Sequence, residues 1–339
     1  MTAERAGRLA ELAAAEGLDG LIVTGAANLR YTTGYTGSNG LALVAGGGDL
    51  RFLTDFRYEE QASRQVPPAF VREIATGELL EALAAELPAG RIGFDDTATT
   101  VREHARLREL ASAEVELVPA GGLVERLRLV KGAGEVERIR AAAMLVDEVY
   151  AWILGRGLAG RREWDVAVEL EHEMRRLGAE EPSFASIVAS GARGALPHAS
   201  PGREPIEAGT LVTIDIGAKL DGYCSDCTRT FAVGGPPDEE ARAVYDLVLR
   251  AQLAGLAAVR PGPTGREVDA VARAVIEEAG YGERFGHGLG HGVGLEIHEG
   301  PRLARRAAEV ALVPGNVVTV EPGVYLPGRL GVRIEDLVV

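Results

Sequence analysis

The 339-residue chain lacks the features that mark several common protein classes. It has only two cysteines, Cys224 and Cys227, too few for the disulfide framework of a small secreted domain. No apolar run reaches the ~18 residues that a bilayer-crossing helix needs, and the opening MTAERAGRLAELAAAEG has no apolar block of the kind a signal peptide carries. Those two absences make a cytoplasmic protein the expectation, with no membrane partner. A basic stripe is missing as well. The formal net charge is −14, and phosphate contacts need clustered Lys and Arg, so nucleic acid is not expected as a partner. The short run with Arg302, Arg305 and Arg306 reads as solvated loop charge. Three catalytic signatures are also absent. Glu171-His172-Glu173 does not satisfy His-Glu-x-x-His, there is no G-x-S-x-G elbow, and the glycine-rich GHGLGHGVGLEIHEG has neither G-x-G-x-x-G spacing nor a P-loop lysine. The C-x-x-C spacing is an argument for redox chemistry or zinc in other settings. Here YCSDCTRTFAV reads as a strand, which puts the two thiols on opposite faces, whereas a thioredoxin-type pair sits at a helix N-terminus. Cys224 shares parity with Asp226 and is expected to be a small packing residue beside it.

What is present is enough apolar material, 46% of residues, for two domains with their own cores. The first ~125 residues alternate helix and strand signals in the manner of an α/β domain. Helices are expected over 3–16, stopping at Gly17, and over 57–65, 78–86 and 101–111; LIVT (21–24), LALV (41–44) and LRFL (50–53) read as buried strands. His104 is placed on a solvated helix surface. The small polar break at Lys131 to Gly134 marks a boundary, giving domains 1–128 and 129–339. Beyond it, helices over 135–156 and 163–177 precede a β-rich stretch, and helices over 238–259 and 264–279 precede another. Each half thus brings two helices and a strand pair with two acids, a weak repeat in layout and not in residue identity.

Those acids are Asp215 in TIDIG, Asp226 in YCSDCTRT, Glu321 in TVEPG and Glu335 in GVRIED. Singly, each would read as a surface charge or a turn cap. Yet Asp215 follows LVTI, Glu321 follows VVTV and Glu335 sits in VRIEDLVV, and charges are almost never buried in such strands unless paired or metal-bound. A hairpin folded at Asp221-Gly222 would set Asp215 and Asp226 side by side, and turns at Pro327-Gly328 and Gly331 would do the same for Glu321 and Glu335. Four of the six histidines, His198, His287, His291 and His298, follow the first helix pair. Alternating glycines put His287 and His291 on one face and allow close backbone approach. Four carboxylates with one imidazole, His291, suit a pair of hard divalent ions sharing bridging carboxylates, where a lone zinc would want more nitrogen or sulfur.

With these residues in order, the chain resembles the pita-bread metallopeptidases, and within them the prolidase and aminopeptidase P branch. NLRYTTGYTGSNG and LTDFRYEEQA are similar to the creatinase/prolidase-type N-terminal domain. All five ligand positions occur in the family's order and contexts. The resemblance implies a two-domain α/β chain whose catalytic part is an α+β pita-bread domain with pseudo-twofold halves. It implies Asp226 and Glu335 as bridging carboxylates, Asp215 on one ion, and His291 and Glu321 on the other, the ions being manganese first, or cobalt, zinc or iron. His198 in LPHASP and His298 in EIHEG match substrate and scissile-bond positions, with His287 and Arg333 as further pocket residues; Glu321 shuttles the proton. The implied reaction cleaves the bond between an N-terminal residue and proline in short peptides, as an Xaa-Pro dipeptidase or aminopeptidase, through a hydroxide bridging the ions, in a protein expected to be a homodimer. Three alternatives stand beside it. A methionine aminopeptidase type would be expected to lack the N-terminal domain. A creatinase-like non-metal hydrolase, or a silent peptide-binding protein, would not be expected to keep the ligand set. Only four residues follow Glu335, where similar proteins continue for about another strand, so the expectation is either a trimmed tail or an unusually short chain.

Overall fold

The computed structural model describes residues 2–339. The chain divides into two compact units, one ending at Arg128 and the other spanning Leu129–Val339. In the first, six strands form one mixed sheet: β1 (Gly20–Val23), β2 (Leu41–Ala45), β3 (Leu50–Asp55), β4 (Val71–Ala75), β5 (Gly90–Phe94) and β6 (Val115–Pro119), in the order β4-β3-β2-β1-β5-β6. The β1/β2 and β2/β3 pairs are antiparallel and the other three parallel. Helices α1 (Thr2–Ala15), α2 (Ala26–Thr33), α3 (Glu59–Gln65), α4 (Leu79–Glu86), α5 (Val101–Leu110) and α6 (Leu123–Arg128) complete the unit. The apolar blocks 21–24, 41–44 and 50–53 are strands as expected, since both faces of the sheet's centre are covered and Ile22, Leu43, Leu53 and Ile92 are buried together. The expected helix over 57–65 is a 3₁₀ turn, Phe56–Tyr58, followed by α3. The edge strand β4, Val-Arg-Glu-Ile-Ala, carries too little apolar signal to be read from sequence. His104 departs from expectation: it is half-buried, its ring 4.8 Å from that of Phe94.

The second unit opens with helices α7 (Ala133–Arg156) and α8 (Glu163–Arg176), followed by β7 (Glu181–Pro182), β8 (Ile187–Ser190), β9 (Leu211–Ile216), β10 (Ala218–Leu220), β11 (Tyr223–Cys224) and β12 (Cys227–Ala232). Helices α9 (Glu239–Ala258) and α10 (Gly265–Glu278) then lead to β13 (Gly290–Gly292), β14 (Glu299–Leu303), β15 (Val318–Val320), β16 (Gly323–Leu326), β17 (Leu330–Arg333) and β18 (Asp336–Val338). The repeat in layout thus becomes two hydrophobic cores. In one, Val146, Val149 and Ile153 of α7 and Val166, Leu170 and Met174 of α8 pack on Val188, Val212 and Ile214. In the other, Val244, Val248, Val268, Ala272 and Ile276 of α9 and α10 pack on Val318, Val320 and Val332. The helical residues in each recur at three- and four-residue spacing, the stripe that faces a sheet. α10 starts on a capping box, Thr264 with Glu267, legible in the sequence as T-x-x-E.

The expected turn between β10 and β11 is present. Asp221 and Gly222 take φ values of 48° and 75°, the two positive angles of the hairpin turn whose twist suits flanking strands. The single strand read through YCSDCTRTFAV is instead two strands in different sheets, broken at Ser225 and Asp226. The Ser225 hydroxyl lies 3.0 Å from the Ala218 amide and accepts from it, bending the chain at this point. Both cysteines are buried and free, and burial pushes Cys224 up to about 11, so it is a packing residue and not a reactive thiol.

β17 lies so close to the turn at residues 191–195 that a Cβ on Gly331 would run into the Gly194 carbonyl. Gly331→Ala should therefore destabilise the protein by roughly 1–3 kcal/mol, the cost of a forced backbone shift, whereas Gly155→Ala, in α7 with open space around it, should add about 0.5–1 kcal/mol. Urea melts of both variants check the pair. Equal midpoints would contradict the close approach.

Candidate metal and peptide site

β9 and β12 pair in antiparallel register with Asp215 opposite Thr228, and β15 pairs with β18 with Val320 opposite Asp336. These pairings place Asp226 just before β12, Glu321 just after β15 and Glu335 just before β18, with Asp215 the penultimate residue of β9. A cavity of about 580 Å³ is lined by all four, and by His198, His287, His291, His298 and Arg333. The structure therefore brings every sequence-predicted site residue to one place.

The imidazole is aimed. His291 Nδ1 lies 3.0 Å from the Gly292 carbonyl, which can only accept, so Nδ1 carries the proton. Nε2 is left as a lone pair, 3.5 Å from Asp226 Oδ2 and 3.4 Å from Glu321 Oε1. Burial pushes His291 down to about 4, which keeps the ring neutral, as a ligand must be. Candidate ligand atoms of Asp226, His291 and Glu335 all lie within 4.8 Å of one another.

Two of the acids, Asp215 and Glu335, are held in a common pattern, one oxygen on the protein and one without a partner. Asp215 Oδ2 accepts from Arg333 at 2.7 Å and Glu335 Oε2 accepts from the Thr228 hydroxyl at 2.8 Å. Asp215 Oδ1 and Glu335 Oε1 are buried with no partner among the described residues. Burial first, and then the repulsion of neighbouring carboxylates, pushes Asp226 and Glu335 well above the usual carboxylate range; burial pushes Glu321 up to about 7. Four acids in so small a volume, with two orphaned oxygens, fit divalent cations: the donor set is hard oxygen plus one neutral nitrogen.

Three residues that order the site were missed by sequence reasoning. Thr228 accepts from Arg333 Nε at 2.9 Å while donating to Glu335. Thr319 accepts from the His291 amide at 3.0 Å and donates to Glu321 Oε1 at 3.1 Å. Each stands two residues from a ligand candidate, Asp226 or Glu321, so strand alternation carried the signal. The third is Tyr325. His287 Nδ1 must donate to the Gly288 carbonyl 2.8 Å away, so its Nε2 accepts from the Tyr325 hydroxyl at 2.9 Å, and Tyr325 in turn accepts from Arg333 at 3.0 Å. Nothing local in GVYLPG foretold this chain. The loop carrying His287 is pinned from α10: Arg273 forms a bidentate buried pair with Asp269 at 2.7 and 2.8 Å, and donates to the carbonyls of Phe285 and His287. Arg302 corrects the sequence reading. It lies on β14 and lines the cavity, exposed, and its guanidinium makes no hydrogen bond among the described residues.

Comparisons with known proteins extend this picture over the whole chain. Residues 137–339 match the profile of Metallopeptidase family M24, and residues 5–130 match the Creatinase/Prolidase N-terminal domain. The uncharacterized peptidase YqhT of Bacillus subtilis is 45% identical over 326 residues, covering 95% of this chain and 91% of that protein. The solved structure of an Xaa-Pro dipeptidase from Bacillus anthracis superposes with a TM-score of 0.96 at 42% identity, covering 100% of this chain and 95% of that one. An X-Pro aminopeptidase from Thermotoga maritima superposes with a TM-score of 0.90 at 34% identity, covering 99% and 94%.

Replacing Asp226 or Glu335 with Ala should lower the amount of divalent metal bound, with activity lost alongside it; full activity at unchanged metal content would sink the cluster as a metal site. Glu335→Gln, which removes one of four crowded charges, should raise the Tm of metal-free protein and shrink the Tm gain on adding manganese.

Proposed function

Because this chain belongs to metallopeptidase family M24, with a creatinase/prolidase-type domain ahead of the catalytic one, we propose that it is a dinuclear-metal peptidase cleaving the bond between an N-terminal residue and proline. The observation that carries the metal reading is the pair of orphaned buried oxygens, Asp215 Oδ1 and Glu335 Oε1, beside the bare His291 Nε2. Asp226 and Glu335 would hold two divalent ions jointly, with Asp215 on one and His291 and Glu321 on the other. Manganese is the first candidate. When bound, such ions polarise a peptide carbonyl and lower the pKa of a shared water.

The remaining work falls to the chain's own groups. Thr319 occupies Glu321 Oε1, which leaves Oε2 to take the proton of the attacking water and return it to the leaving nitrogen. That return matters for proline, a tertiary amide whose nitrogen has no hydrogen of its own. Burial and the Arg302 guanidinium push His298 below the usual imidazole range, so it is neutral and offers one N–H to the developing oxyanion, with His198 beside it at the same cavity. Phe184, Ile187, Pro197 and Ile297 give the cavity an apolar wall suited to a pyrrolidine ring.

Recognition of the chain end is assigned by elimination among the guanidiniums. Arg333 was expected to bind substrate, but its donors are engaged with Thr228, Pro197, Tyr325 and Asp215, which leaves a single N–H. Arg302 has its whole fork available for a carboxylate. This favours a dipeptidase, and the proline preference itself is supported by the full-length likeness to the Xaa-Pro dipeptidase.

Rates on Ala-Pro, Ala-Pro-Ala and Met-Ala with added manganese test the reading. Ala-Pro should be fastest, and Met-Ala cleaved as fast as Ala-Pro would leave a general aminopeptidase of methionine aminopeptidase type. Arg302→Met should cut kcat/KM on Ala-Pro roughly tenfold to a hundredfold, the scale of a lost charge-assisted hydrogen bond, and spare Ala-Pro-Ala; Arg333→Lys should harm both alike. His198→Ala and His298→Ala should each lower turnover by roughly 10²–10⁴-fold with the metals retained, and metal loss in either would count against the roles given them.

A further inference from the structure

His198 poses a mechanical problem. It is exposed, on the long loop between β8 and β9, and its ring makes no hydrogen bond among the described residues. Packing around the ring therefore does not place it. The backbone on either side does. The Pro197 carbonyl accepts from Arg333 at 3.2 Å, and the Ser200 carbonyl accepts from Arg193. Arg193 is in turn held by Glu163, whose Oε2 takes its Nε at 2.9 Å.

Glu163 is the first residue of α8 and is fully buried. Its carboxylate accepts four hydrogen bonds, all from this loop: the Ser190 amide at 2.7 Å and hydroxyl at 2.8 Å on Oε1, and the Gly202 amide at 2.7 Å with Arg193 on Oε2. Gly202 is tied back a second time, its carbonyl accepting from the Trp164 amide at 2.9 Å. A Cβ on Gly202 would stand 2.9 Å from Glu163 Oε2, so the loop's return needs glycine for this approach. One buried charge thus fixes both ends of the segment 190–202 and, through Arg193, a carbonyl two residues from His198. A plain helix-terminal acid would face solvent or its own helix amides; this one faces neither.

We infer that Glu163, acting with Arg193, is a positioning residue that sets His198 in the cavity. The clamp stands on geometry alone, and its consequence for catalysis rests on the Xaa-Pro peptidase reading. A double-mutant cycle separates this from ordinary structural support. Glu163→Gln keeps shape but cannot serve all four donors, and Arg193→Met, at a half-exposed position, removes the Ser200 contact with less risk to folding. In metal-loaded protein each should lower kcat/KM on Ala-Pro about 10- to 100-fold at unchanged metal content, and each should change it less than about twofold in a His198→Ala background. Losses that multiply in the double variants would overturn the inference. A second readout is independent of activity: in zinc-loaded protein with ¹³C-labelled histidine, the His198 ring signal, identified by its loss in His198→Ala, should shift or broaden in Arg193→Met while that of His287 stays. An unmoved His198 signal overturns the clamp whatever the rates. A moved signal in a protein that cleaves no Xaa-Pro substrate upholds it and counts against the peptidase reading alone.

Discussion

Four carboxylates facing one small volume, three of them buried and Glu321 half-buried, are the constraint on which the catalytic unit turns. Like charges removed from water repel strongly and lose hydration at the same time, and Asp226, Glu335 and Glu321 are all pushed above the usual carboxylate range. Arg333 offsets only part of this charge, through its contact with Asp215 at 2.7 Å. Without cations the arrangement is a store of repulsion; with them, the same crowding becomes affinity. The surrounding fold must therefore hold the acids against a force that would separate them.

It does so by giving each half a core of its own. Each half packs a helix pair on its own sheet, and each places its acids at strand ends, where the backbone is fixed on one side and the side chain reaches the cavity on the other. The hydroxyls of Thr228 and Thr319 then choose which carboxylate oxygen is used up. The second helix of each pair also pins a histidine loop through a buried acid, Glu163 toward His198 and Asp269 with Arg273 toward His287. Helices that look like scaffolding thereby control the cavity wall, which explains why charged residues at 0% and 1% exposure are tolerated on them. The family's reaction needs ligands and substrate groups held to within fractions of an ångström, and rigid elements with satisfied buried charges supply that.

Much of this was written locally in the chain. Apolar blocks marked the strands LVTI and VVTV, and Asp221-Gly222 marked a turn whose positive φ angles few other pairs accept. The unusual feature was also local: an acid set in or against an apolar strand run, as Asp215, Glu321 and Glu335 are, is improbable unless something pairs with it. Short polar edge strands such as β4, and the break at Ser225 and Asp226, were not legible, because their pairing energy comes from neighbours distant in sequence.

The sequence by itself determined which groups are at hand, since donor type, strand alternation and glycine spacing are properties of a few consecutive residues. Only the tertiary structure decided what those groups are free to do. Arg302 and Arg333 are the same residue type thirty-one positions apart, yet one has its guanidinium open to the cavity and the other is nearly spent on Thr228, Pro197, Tyr325 and Asp215. Likewise Glu163 looked like any acid at a helix start. A donor or acceptor can take a ligand only while it is unsatisfied and can position a loop only once it is satisfied, and satisfaction depends on partners that folding brings from far along the chain.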